Sequence, residues 1–114
     1  MDNNPQWIEE FGGAVTVCGQ DGTIRAMNAR AAEAFAEQGG RELIGRNLFD
    51  CHPAGASEKI QNIMRQHATN CYTIEKNGIK KLIYQAPWYE NGEYKGLVEL
   101  ALPLPVTMPH FVRE

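Results

Sequence analysis

The order of elements in this 114-residue chain predicts an α+β domain: a five-stranded antiparallel sheet with helices packed on one face. Three observations predict it. Two β-leaning runs joined by a turn containing Gly come first, a stretch with helical signals follows, and three more β-leaning runs joined by Asn-Gly pairs close the domain. Asn-Gly is the strongest short signal for a hairpin turn. The last three strands therefore form a meander, and helices inserted between strands two and three lie on one face of the sheet. A pocket forms naturally between the two layers.

Asn4-Pro5 reads as an N-cap followed by proline at the first helical position, and Trp7, Ile8 and Phe11 repeat with helical spacing until Gly12-Gly13 stops the turn. Residues 14–18 and 23–27 are the first two strands, with Asp21-Gly22 supplying the positive φ angles of a tight hairpin. Asn28 caps the alanine-rich stretch 29–38, which ends at Gly39-Gly40. Residues 41–53 contain Gly45 and Pro53 and no long period, so short helical turns and loops are expected there. Ser57 with Glu58 opens a clearer helix, on which Ile60, Ile63, Met64, His67 and Ala68 form one inward stripe. Strands over 71–76, 79–89 and 94–102 follow, joined at Asn77-Gly78 and Asn91-Gly92. The expected division is an N-terminal amphipathic helix over 1–13, a central domain over 14–102 and a short Pro-containing tail over 103–114.

Composition excludes several classes of function. A net charge of -3 offers no broad positive field to a nucleic-acid backbone, and Lys80-Lys81 is the only basic pair. The longest apolar stretches fall far short of the roughly 20 residues that cross a bilayer, and no signal peptide is evident. Neither nucleic acid nor membrane is an expected partner. Three cysteines, Cys18, Cys51 and Cys71, make no disulfide framework, which points to a reducing, cytoplasmic compartment.

Three segments carry a resemblance to a known family. They are Asp21-Gly22-Thr23-Ile24 with Asn28 and Ala32; Leu43-Ile44-Gly45-Arg46-Asn47-Leu48; and Asn91-Gly92-Glu93-Tyr94-Lys95-Gly96. In this order and spacing the chain resembles the PAS family over about residues 7–102. Asp50-Cys51-His52-Pro53 looks like a bacterial PAS subgroup in which a Cys-His-Pro step follows the Gly-Arg turn. The resemblance implies a ligand cavity between sheet and helices and frequent dimerisation. The place where such domains usually couple to an effector reads Leu102-Pro103-Leu104-Pro105, so output is expected to pass to a separate effector protein or to a second copy.

Family members that form a photochemical flavin thioether carry a cysteine directly after the Gly-Arg-Asn turn, where this chain has Leu48, so that chemistry is not expected. Haem-binding relatives place a histidine ligand on the long helix. His67 is the candidate, against the plainer reading of a helix C-terminal histidine favoured by the dipole. Cys51 and His52 are the sharper candidates for lining the cavity, although adjacent residues rarely point the same way and no activated pair follows from adjacency. Met64, Tyr84 and Trp88 complete the candidate ligand contacts, with aromatic core packing as the alternative for the last two. No CxxC or HxxxH spacing supports a metal. Glu9, Glu10, Glu75 and Glu99 show no paired spacing for acid-base work and read as solvated faces, so no catalytic residue is assigned and no enzyme is expected.

The function this predicts is a sensory or signal-relay domain that binds a small molecule and acts through protein contacts. The alternatives are a ligand-free interaction or dimerisation module and, at lower weight, a redox sensor using Cys51 or a haem sensor. A homodimer is expected, built partly by Trp7, Ile8 and Phe11, because a bare apolar stripe on a small monomer is an aggregation liability.

Overall fold

A computed structural model describes residues 5–51 and 54–114, with the side chains of all of these except residues 51 and 54. The chain order is α1 (Gln6–Glu9), β1 (Ala14–Gly19), β2 (Ile24–Met27), α2 (Ala29–Ala34), three 3-10 turns (Ala36–Gln38, Gly40–Leu43, Leu48–Cys51), α3 (Ala54–Arg65), β3 (Asn70–Lys76), β4 (Ile79–Glu90) and β5 (Glu93–Pro103). The expected five-stranded sheet is present in the order β2-β1-β5-β4-β3, and every pairing in it is antiparallel.

Both Asn-Gly pairs make hairpins with φ positive at each residue, 54° and 78° at Asn77-Gly78 and 54° and 82° at Asn91-Gly92, as a type I′ turn requires. The first hairpin departs from expectation. Only Gly22 has a positive φ there, because Asp21 uses its carboxylate instead, accepting from the Thr23 backbone N–H at 2.9 Å, while Gly22 N–H donates to the Gly19 carbonyl. The segment after the second 3-10 turn then closes the edge of β2: Ile24 N–H donates to the Arg46 carbonyl, Gly45 N–H to the Ile24 carbonyl and Leu48 N–H to the Gly22 carbonyl. An edge that would otherwise be bare is thereby paired.

The helices differ from the sequence reading at their ends. α1 is a single turn that begins after Pro5, and Asn4 lies outside the described residues. α2 stops at Ala34 and passes through Phe35 into a 3-10 turn. α3 starts at Ala54 and not at Ser57, and it ends at Arg65 with Ala68 N–H donating to the Ile63 carbonyl and His67 N–H to the Met64 carbonyl. That pair of bonds is a Schellman cap, with His67 in the left-handed position at φ 51°. His67 is therefore exposed and not part of an inward stripe, whereas Ile60 and Met64 are buried as expected.

Asn28 holds three elements together. It is fully buried; its Oδ1 accepts from Ala31 N–H, capping α2, and from Val15 N–H on β1, while its Nδ2 donates to the carbonyls of Ile8 and Gly13. The core lies between the sheet and the helices, built around Cys18, Ile24, Met27, Leu43, Met64 and Leu97.

Candidate functional site

Strand alternation decides which side chains meet the helices. In register, Cys18 faces Leu97, Thr16 faces Glu99, Glu99 faces Gln85, and Gln85 faces Asn70. Cys18 and Leu97 belong to the core, so their phase marks the inner face, and Thr16, Glu99, Gln85 and Asn70 share it. A polar row thus crosses four strands on the buried side. Asn70 Nδ2 donates to Gln85 Oε1 at 3.0 Å, and Gln85 Nε2 donates to Glu99 Oε1 at 3.4 Å. Gln85 is only 4% exposed, so these amides are part of the interior.

At the end of this row lies a cavity of about 220 Å³. Its described walls are apolar at Ile24, Met27, Phe35, Leu43 and Leu48 and polar at Thr16, Gln38 and Glu99. An apolar chamber with a few convergent polar groups is the usual make-up of a small-molecule site. Glu99 is thus half-buried on a cavity wall, which corrects its reading as a solvated residue. Glu9 is likewise not simply solvated, since it pairs with Arg41, which also donates to the Met27 carbonyl. Burial pushes the Cys18 thiol up, with the charges of Asp21 and Glu99 adding to the effect. A thiol so placed stays protonated at neutral pH and is a poor nucleophile.

A second, surface cleft of about 330 Å³ lies at the end of α3, between Gln20, Phe49, Gln61, Met64, His67 and Tyr94, with Arg65 beside it. The rings of His67 and Tyr94 stack at 3.8 Å between centroids and 14° between planes. The Tyr94 hydroxyl is buried and has no hydrogen-bond partner among the described residues.

The sequence family described as the PAS fold matches residues 8–76, more than half of the chain. The chain belongs to the PAS family. Solved structures agree on the fold. This PAS domain superposes on a C-terminal domain from Streptococcus mutans with a TM-score of 0.69 at 17% identity, covering 84% of this chain and 78% of that one. It matches the PAS domain of the histidine kinase ThkA at 0.63 and 18% identity, over 78% of this chain and 96% of that one. It also matches the Aer2 receptor of Vibrio cholerae, a dual PAS-haem oxygen sensor, at 0.54 and 20% identity, over 82% and 95% of the two chains. No curated protein matches.

Of the residues expected at the PAS cavity, Met64 faces the core and also borders the surface cleft. His67 stands outside the cavity, stacked on Tyr94. Tyr84 and Trp88 alternate out of phase with Gln85, which puts them on the opposite face of the sheet. Trp88 uses that position to send its Nε1–H to the Cys18 carbonyl at 3.0 Å, past Gly96 on the strand between. Gly96 has φ 151°, and a Cβ there would run into the Cys18 carbonyl oxygen, so only glycine serves. His52 lies outside the described residues, as does the side chain of Cys51, whose backbone closes the last 3-10 turn.

The described residues do not fit a haem. His67 does not line the cavity, and about 220 Å³ is below the roughly 300–1,000 Å³ of pockets for drug-sized ligands. The Leu48 side chain occupies the position of the flavin-reactive cysteine and sits in the core. Among the described residues no three His, Cys, Asp or Glu side chains converge as a metal site, and no helix is long and apolar enough to cross a membrane.

Sequence reasoning missed Thr16, Gln38, Gln85 and Glu99. Strand 94–102 is apolar at alternate positions of both faces, so the phase that turns Glu99 inward was not readable. The available signal was Gln85, a polar residue in the middle of the apolar and aromatic run 82–89.

Proposed function

We propose that this PAS domain is a sensory, non-catalytic module of the cytoplasm that holds a small apolar or amphipathic molecule between sheet and helices and signals through protein contacts. The observation that carries the reading is the chamber walled by Ile24, Met27, Phe35, Leu43 and Leu48, with Thr16, Gln38 and Glu99 as its polar groups. In this proposal residues 14–102 form the sensing unit, and the segments 1–13 and 103–114 serve contacts with other chains. Native mass spectrometry with an absorbance spectrum of freshly purified protein tests it. A co-purified small mass supports ligand binding; its absence, together with no response of the cavity amides to small aromatic probes, refutes it.

A specific observation favours a second copy as one protein partner. The sheet face opposite the helices carries Val17, Leu82, Val98, Leu100 and Leu102 half-buried and Tyr84 exposed, a continuous apolar surface. Trp7, 68% exposed, and Phe11 add an edge-to-face aromatic pair on the α1 segment. We propose a homodimer that covers this face and includes α1, with a separate effector protein reading its arrangement.

A further inference from the structure

Two apolar surfaces of this chain stand open to solvent, and each suits the other. The first is the sheet face opposite the helices. Across its strands Leu82 lies beside Leu102, Tyr84 beside Leu100, and Ala86 beside Val98, which lies in turn beside Val17. Trp88 continues the line of Leu82 and Tyr84 along β4. The second surface is the segment after β5. Leu104 N–H still donates to the Lys80 carbonyl at 2.8 Å, so the chain leaves from the end of the β4–β5 pair. Residues 105–114 then form neither helix nor strand, and the least exposed of Val106, Met108, Phe111 and Val112 is Met108, at 62%. The tail and the sheet face of one chain therefore do not cover each other.

Composition limits how the tail can bind. Pro105 and Pro109 have no N–H, and each holds the residue before it, Leu104 or Met108, toward extended backbone. Such a segment makes a poor partner for an edge strand, and the β2 edge is already paired by residues 45–48. It can instead lie across a face through its side chains. Extended proline-containing segments dock on aromatic-lined surfaces, and Tyr84 with Trp88 supplies the aromatic wall here. The ten residues 105–114 reach roughly 31 Å at about 3.1 Å each, against roughly 19 Å for the four strand spacings of the sheet. The tail is long enough to cross the face of a facing copy.

We propose that residues 105–114 of each chain lie across the outer sheet face of a second copy, with their apolar side chains against Tyr84, Val98 and Leu100. This rests on the proposed homodimer and names the segment that seals it. The exchange is reciprocal under a two-fold axis, so the assembly closes at two copies with both tails and both faces covered.

The first measurement uses the full chain, as dimers mixed from carbon-13-labelled and unlabelled copies and read by isotope-filtered NOEs. The Val106 and Met108 methyls of one copy are expected within NOE reach of the Tyr84 ring or the Leu100 methyls of the other. The second uses Val106→Asp and Met108→Asp, at exposed positions where a carboxylate leaves the fold of the single chain intact. Each should weaken the dimer roughly tenfold or more in sedimentation equilibrium, because docking would strip water from the new charge. A dimer indifferent to both substitutions, or cross-copy contacts confined to the sheet and α1, overturns the tail exchange and leaves the homodimer standing. Contacts from the tail to the sheet within one chain only overturn it as well. If the full chain sediments as a monomer at tens of micromolar, the homodimer falls and the exchange with it.

Discussion

At the scale of single residues, Asn28 has the largest structural role. Its side chain satisfies two backbone N–H groups and two carbonyls from α1, the 12–13 segment, β1 and α2. Asn28→Ala leaves buried partners unpaired and is expected to cost about 3 kcal/mol or more in chemical denaturation. Asn28→Asp sharpens the test, because it keeps both acceptor contacts but sets a carboxylate against the carbonyls of Ile8 and Gly13, so it too should destabilise at neutral pH. Asp21 gives a pH signature. Its carboxyl is held below the ordinary value, chiefly by the Thr23 backbone N–H and then by the Thr23 hydroxyl. A lowered folded-state pKa stabilises where the unfolded group is also ionised, above about pH 4, and that contribution is lost as pH falls through the lowered value. The difference in Tm between the native chain and Asp21→Ala should therefore hold steady above about pH 5 and shrink as the pH falls below about 4; a constant difference throughout would show that the turn draws nothing from the ionised form.

At the scale of elements, the way α3 ends can be tested at one position. His67 serves as the left-handed cap residue and as a stacking partner for Tyr94. His67→Asn keeps a residue suited to the cap and removes the ring, so it should cost about 0.5–1 kcal/mol. His67→Val also forces a β-branched residue into the left-handed region and should cost about 1–3 kcal/mol. Equal melting curves for the two variants would refute the cap assignment. Tyr94→Phe keeps the stack and deletes a buried hydroxyl without a described partner, so it should be neutral or slightly stabilising. The strands were legible in the sequence because Asn-Gly turns and short apolar runs are local signals. The end of α3 was not: the stripe continues in sequence through His67 and Ala68, and neither the left-handed turn at His67 nor its stacking on Tyr94, 27 positions away, has a local signal. The cavity was expected from element order, but its polar residues depend on strand phase, which both-sided apolar strands conceal.

At the scale of the molecule, the uncovered apolar sheet face sets the prediction. If a second copy covers it, Leu100→Lys should shift the sedimentation coefficient from dimer to monomer at tens of micromolar, because a charge at the centre of a buried patch must be desolvated. Deleting residues 1–12 should weaken the dimer if α1 takes part. A chain that sediments as a monomer without either change would refute the dimer. The exposed Val106, Met108, Phe111 and Val112 in the segment after β5 add further apolar surface beyond the sheet.

The polar row on the inner face has a polarity of its own. Asn70 gives its hydrogen to Gln85, and Gln85 gives one to Glu99, so both amide dipoles run toward the carboxylate. The row is a one-way chain whose direction is dictated at its Glu99 end. If Glu99 took up a proton and became the donor toward Gln85, the Gln85 amide would have to turn over, and Asn70 after it, reversing the chain as far as the edge strand. The side-chain amide resonances of Asn70, across three strands from Thr16, would then report the charge state of a carboxylate they do not touch.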